Sequence, residues 1–506
     1  MLMQQTKSIQ NLSELDWVSK KDDRLGESLI RLLRKFNLNA IGKLLAESKT
    51  KGICPKGIFT TLFLFPFFGI DNIRCWIHSG LNADAEGKKD VYYSLINSPH
   101  IKWRDIVMHF AKGFVKTVDK HSAPTEVLRT KESGTRDETD NTPRCMIVDD
   151  TTIDKTGRKI EFIGKVFDHC SHKYLLGFKI LTLGFWDSKS FIPLDFSVHQ
   201  EPGKKKNRGL KARELKQQYT KDRPAGCSSM ERIAELSVSK IEHGVSMIAR
   251  AIKKGFIPQY VLADSWFITD GFIKSVLKLK SKKTGPIHVI GLMKSNRKVQ
   301  YNGKTHNADV LPKILESKIK ASRKLKCKYL AVRIIYKDTP VKAFFVMMNG
   351  QSSWKLLITT DDTLSFIKAM KYYQIRWTIE VFFKEAKQNL GLGKCQSNDF
   401  DALIATTSLA FMHYIVLSLG KRFESYETMG GMFRAFSDKL LEQTLFQRIW
   451  ALLEGIYINI LAALGVEWEA FIKQVITNPE LENLLVDCSR IFYSNNDYPK
   501  PKLSIL

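Results

Sequence analysis

Apolar residues recur at helical spacing over residues 29–45 and 106–118, the repeat of helices that bury one face. The first 120 residues therefore read as a helical N-terminal domain. Residues 121–144 break this pattern: Ser, Thr, Pro, Glu, Asp and Arg dominate and large apolar residues almost vanish, which predicts a linker. Beyond it the texture changes to short β-rich runs. Residues 145–148 are apolar and end at Asp149-Asp150-Thr151-Thr152, and runs at 174–185 and 190–198 follow with no helix between them. Three consecutive strands of this kind predict an antiparallel meander. Helical spacing returns over 231–254, a short apolar run at 260–263 delivers Asp264 at its end, and a helix over 271–280 leads to a strand at 288–292. The order β-β-β-α-β-α-β predicts a mixed α/β sheet, its first three strands antiparallel and the rest joined by helical crossovers.

From residue 294 to about 360 the pattern is again β-rich, with runs at 328–336, 342–348 and 354–359, and it is basic: residues 294–333 hold twelve Lys and Arg against Asp309 and Glu316. This segment reads as an insertion into the sheet domain. Residues 364–390 then form one long helical pattern that Gly391 and Gly393 end, so residues 361–395 complete the domain begun at 145–293. Residues 396–506 read as a helical C-terminal region. The apolar stretch at 58–70 is short and contains Pro66, and the one at 403–420 is interrupted by Thr406, Thr407, Ser408 and His413. Both read as buried helices and not as membrane spans. Residues 1–17 lack a basic region followed by an apolar core, so no secretory signal is expected.

Charge narrows the class. The chain has 506 residues, 79 Lys and Arg against 52 Asp and Glu, and a formal net charge of +27. A field of that sign draws polyanions, because each phosphate neutralised by Lys or Arg releases counterions, and nucleic acid is the expected partner ahead of an anionic membrane. Residues 203–223 alone carry nine basic residues against Glu214 and Asp222; the run fits either phosphate contact or a solvated charged loop. Eight scattered cysteines include no Cys-x-x-Cys pair, which argues against a disulfide framework or a zinc finger and for a reducing, cytoplasmic setting.

Three carboxylates stand where chemistry is expected. Phosphodiester cleavage at neutral pH calls for divalent cations held by hard oxygen ligands, and Asp150 and Asp264, each after a short buried strand, are candidate ligands. Alone, each reads more readily as a turn or cap residue. The third is on the helix over 371–390, where Tyr373, Arg376, Glu380 and Lys387 share one strip and Ile375, Ile379, Phe382, Phe383, Ala386 and Leu390 fill the adjoining apolar face.

Tyr373, Arg376, Glu380 and Lys387 reproduce the Y-x2-R-x3-E-x6-K signature, and in this the chain resembles the bacterial insertion-sequence transposases of the cut-and-paste, D-D-E type. Asp150-Thr151-Thr152 resembles that family's first-carboxylate motif, and residues 260–267 resemble the strand that brings the second. The resemblance implies a ribonuclease-H-like mixed sheet with a β-rich insertion over residues 145–395, flanked by helical N- and C-terminal regions. It implies that Asp150, Asp264 and Glu380 are the catalytic, metal-binding triad for Mg²⁺, with Mn²⁺ as a substitute. The doublet leaves Asp149 as an alternative, and the Asp-Thr-Thr match favours Asp150. Arg376 and Lys387 are implied to neutralise phosphates, Tyr373 to donate a hydrogen bond to one, and Trp354 to stack on a base flipped from the duplex; a Trp at a strand start also reads as core.

The activity implied is excision of a mobile element by metal-dependent strand cleavage, through a hairpin, and joining of its 3′-OH ends to target DNA. Partners implied are the double-stranded DNA of the transposon ends and target and a second copy of the chain, with no membrane, in a cytoplasmic, nucleoid-associated location. The N-terminal region would bind the ends and the C-terminal region would make protein contacts. The rival readings are another DNA endonuclease of the same fold, which needs the triad without the signature, and a non-catalytic DNA-binding regulator derived from a transposase, for which converging carboxylates on a positive surface serve no purpose.

Overall fold

The computed structural model describes residues 29–46, 52–79, 87–121, 142–203, 207–279, 285–423, 428–438, 440–441 and 460. The expected linker lies almost wholly outside the described residues, as does most of the C-terminal region. The described residues up to Phe433 form one compact unit, and those from Arg434 on belong to a second.

In chain order the first unit begins with helices α1 (Leu29–Arg34), α2 (Leu38–Ala46), α3 (Pro55–Leu64), α4 (Ile73–His78), α5 (Lys89–Ile96) and α6 (Trp103–His121). The helix expected over 29–45 is two, because Asn37 takes a left-handed φ of 50° between them. Four strands follow: β1 (Cys145–Asp154), β2 (Gly164–Asp168), β3 (Lys173–Trp186) and β4 (Phe191–His199). Next come α7 (Ala212–Lys216), α8 (Ser228–Glu235), α9 (Lys240–Lys253), β5 (Tyr260–Ala263), α10 (Asp270–Lys278) and β6 (His288–Met293). The β-rich segment supplies β7 (Lys298–Tyr301), β8 (Lys304–Asn307), the short α11 (Leu311–Ile314), β9 (Lys320–Ser322), β10 (Cys327–Tyr336), β11 (Thr339–Met348) and β12 (Lys355–Thr359). Helices α12 (Phe366–Gln374), α13 (Trp377–Asn389) and α14 (Phe400–Phe423) complete it.

These strands form one mixed sheet. Strand β3 pairs antiparallel with β1, β2 and β4, while β1, β5 and β6 run parallel. The segment expected as an insertion continues the same sheet, because β12 pairs with β6 and carries β11 and β10 beyond it. Burial explains the assembly: Met146, Ile147, Val148, Val261, Leu262 and Ala263 are all fully buried, as expected of parallel strands covered on both faces.

Helix α14 is long and apolar enough to span a membrane, but 94% of its apolar window is buried in the protein, where it packs on β4 and α6. The start of the expected C-terminal region is thus part of the core. Helix α6 reaches the sheet too, through Arg104 at 2.9 Å from the buried Asp195 of β4 and 2.5 Å from Glu235. Arg250 binds the same Asp195 at 2.8 Å, so one carboxylate ties α6 and α9 to the sheet.

Candidate active site

Strand β1 does not stop at Val148. It pairs with β3 through Asp154, opposite Gly177, so Asp149 and Asp150 lie inside a strand and their side chains leave on opposite faces. The even-numbered face is that of Val148, on which α9 packs closely at Gly244. The odd-numbered face meets α13 and the turn after it, where Ile153 lies against Gly393.

Register then decides which carboxylate meets Asp264. Parallel pairing of β1 with β5 ends at Val148 opposite Ala263, so Asp149 and Asp264 are the next residues on neighbouring strands. Asp149 Oδ2 accepts from Arg376 Nη1 at 2.9 Å, and Arg376 Nη2 donates to Glu380 Oε1 at 2.6 Å. The Asp149 carboxyl is pushed up to about 7, first by burial and then by the charges of Asp264 and Asp150, against the pull of Arg376. Asp150 is elsewhere: its carboxylate pairs with Lys240 at the start of α9. Of the doublet it is thus Asp149, the alternative, that lies beside Asp264 and reaches Glu380 through Arg376, while Asp150, which the motif match favours, leaves on the other face of β1. The length of β1, which sets the faces, is not written in the motif.

The signature residues are distributed along two helices. At Ile375 and Arg376 the backbone hydrogen bonds tighten to i−3 spacing, to Tyr372 and Tyr373, which divides the expected long helix into α12 and α13 without leaving the helical region. The Arg376 guanidinium lies 5.6 Å from the centre of the Tyr373 ring. Burial opposes the charge of Arg376, but Tyr373, Asp149 and Glu380 hold its pKa above the usual value. Burial raises the Tyr373 phenol to about 12. Lys387, farther along α13, donates to the backbone carbonyl of Thr152 at 2.8 Å, and burial lowers its pKa.

Asp264 is fixed by its own turn, accepting from the backbone N–H of Trp266 at 2.9 Å and of Phe267 at 3.3 Å. Trp354 is half-buried just before β12. Since Leu356 pairs with Met293 and Ala263 with Gly291, the amino end of β12 lies at the same sheet edge as the carboxyl ends of β5 and β6, where Asp264 sits. In the basic run, Lys221 is held by Asp399 and Asp401, each at 2.8 Å, and Arg223 by Glu161 at 2.6 Å and Asp401 at 3.2 Å. Those two cations are structural. Residues 204–206 lie outside the described residues.

Among the described residues no three carboxylate, His or Cys side chains are grouped closely enough to hold an ion; Glu380 is drawn onto Arg376. The donor chemistry nonetheless fits a hard divalent cation, since two carboxylates meet on adjacent strands and the charge of one opposes ionisation of the other. Two buried donors beside them, Tyr373 Oη and Arg376 Nε, have no hydrogen-bond partner, and a phosphate oxygen would satisfy both.

Residues 237–416 match the family model described as the Transposase DDE domain. The match supports a DDE transposase family, and with the mixed sheet it implies a ribonuclease-H-like fold. Transposases of this class act on DNA and use divalent metal ions. The matched segment contains Asp264, Trp354 and the whole stretch from Tyr373 to Lys387, and it begins after Asp149 and Asp150. No curated protein matches the chain.

Proposed function

We propose that this protein is an insertion-sequence transposase that excises its element by metal-dependent DNA strand cleavage and joins the freed 3′-OH ends to target DNA, with Asp149, Asp264 and Glu380 as its catalytic carboxylates. The observation that carries the reading is the in-register meeting of Asp149 and Asp264 beneath an Arg376 that also holds Glu380. Those three side chains would hold Mg²⁺ or Mn²⁺, which when bound activates the attacking oxygen and stabilises the leaving one.

The chain's own groups do the rest. Arg376 neutralises the carboxylates before DNA arrives and is placed to turn to a phosphate, which frees Glu380 to join the pair. Tyr373 donates its unpartnered hydroxyl to the same phosphate. Lys387, anchored on Thr152, carries positive charge toward the backbone farther along β1. Trp354, at the same sheet edge, stacks on a base displaced as the strand folds into a hairpin. Residues 1–120 bind the element's ends, 121–144 link them to the core, the basic 294–360 segment lines the DNA path, and the part of 396–506 beyond the buried α14 contributes contacts in a homodimer that pairs the ends. The setting is the cytoplasm, on the nucleoid.

Glu380→Gln tests this. It abolishes cleavage of a duplex carrying the element's end, a loss of at least about a hundredfold, and leaves binding of that duplex within about twofold by gel shift. A Glu380→Gln protein that still cleaves removes Glu380 from the catalytic set.

A further inference from the structure

Asp150, outside the catalytic set proposed above, has a partner that the proposed mechanism does not use. Its carboxylate pairs with Lys240, and the Lys240 ammonium lies 4.3 Å from the centre of the Trp266 ring. Trp266 follows Asp264 by two residues and donates its backbone N–H to the Asp264 carboxylate, so indole and carboxylate form one rigid turn. The core ring of Phe267 meets the indole edge to face, centroids 4.9 Å apart at 81°. Trp76 and Trp103 are core residues, whereas Trp266 keeps 37% of its surface exposed.

An indole held by a cation over the ring, a phenyl ring at its edge and a hydrogen-bonded turn is pre-organised for contact, and leaving it in water gains nothing for folding. Any base can stack on such a surface, because every base has a π-face. The position is at the lip of the site, and α9, which carries Lys240, packs on the sheet face opposite α13.

We propose that Trp266, held by Lys240, is a stacking platform for an unpaired nucleobase of the DNA strand beside the cut, and that Asp150 is a positioning residue that acts through Lys240. This rests on the reading of the protein as a DNA-cleaving enzyme. It also gives the Asp149-Asp150 doublet two functions, one on each face of β1.

The test is binding, in EDTA, of a duplex with a short single-stranded tail carrying 2-aminopurine, beside the fully paired duplex of the same sequence. Wild-type protein quenches the tail fluorophore. Trp266→Ala abolishes the quenching and weakens tailed-duplex binding about tenfold, the loss of one stacked base, with paired-duplex binding unchanged; Trp266→Phe retains most of both. Lys240→Met and Asp150→Asn each weaken tail binding about threefold, the contribution of a cation over an aromatic ring, and Asp150→Glu restores it.

Unchanged quenching in Trp266→Ala, or equal losses on tailed and paired duplexes, overturns the platform. Should Trp266→Ala fail to fold, Trp266→Phe and Lys240→Met decide the question by the same readouts. If Asp150→Asn leaves tail binding intact but abolishes Mg²⁺-dependent cleavage, Asp150 returns to the ligand set and the positioning role is lost. Wild-type protein that binds neither duplex removes the DNA reading itself, a result distinct from a Trp266 variant that binds like wild type.

Discussion

Asp149 sits between opposing demands: burial and the charges of Asp264 and Asp150 resist its ionisation, while Arg376 favours it, and the balance leaves the carboxyl near 7. The sign of the linkage follows. A carboxyl whose folded pKa is raised contributes stability fully present below its unfolded value, lost as pH rises through the folded one. In EDTA, the thermal stability of the wild type therefore falls relative to Asp149→Asn from about pH 4 to about pH 7 and levels off above. Melting curves of the two proteins across that range check it; parallel curves would mean that Asp149 titrates as an ordinary carboxyl. The residue scale is also where the sequence was least legible. Asp264 and the strip from Tyr373 to Lys387 could be read from a strand end and a helical spacing, since both are local patterns. Whether Asp149 or Asp150 faces them depends on the pairing of β1 with β3 through Asp154, a contact between segments that neither spells out. Lys240 was invisible for the same reason, as its partners Asp150 and Trp266 come from distant strands and loops.

At the scale of elements, strand β5 was predicted at its observed bounds because four buried residues between polar flanks leave little choice, and β10, β11 and β12 were legible from their β-branched and aromatic content. The short β2, β7, β8 and β9 were not, being polar or brief and held by pairing more than by burial. Helices divided where backbone geometry, and not the apolar pattern, intervened: at Asn37, between Glu235 and Lys240, and at Arg376. How the elements join rests on buried ion pairs. The Asp195 carboxylate is held well below the usual range: burial acts against ionisation, and Arg104, Arg250 and Arg232 outweigh it. Asp195→Ala removes the carboxylate these cations share, leaving Glu235 to Arg104 and Arg232, and destabilises the protein by about 3–5 kcal/mol, measured by urea denaturation; a loss below about 1 kcal/mol would show that α6 and α9 dock without it. At the amino end of β12, on the same sheet edge as Asp264, Trp354→Ala slows hairpin formation about tenfold more than first-strand nicking, read on denaturing gels. Equal effects on both steps would make Trp354 a packing residue.

Across the whole molecule the sequence carries a net charge of +27, a sign that draws DNA, whereas the proposed catalytic groups are carboxylates, the donors a divalent cation calls for. Part of that basicity is internal, as Lys221 and Arg223 are engaged by Glu161, Asp399 and Asp401, so composition marked the kind of partner without marking the path it takes. The central claim, that the paired carboxylates cut DNA, is tested most directly by incubating the wild-type protein with a labelled duplex carrying the element's own end, in Mg²⁺ or in EDTA, and separating the products on a denaturing gel. The account predicts nicks at the element's boundary in Mg²⁺, followed by hairpins, and no product in EDTA. Tight, end-specific binding with no cleavage in Mg²⁺ or Mn²⁺, under conditions that allow the ends to pair, would contradict it and leave a DNA-binding regulator in place of the enzyme.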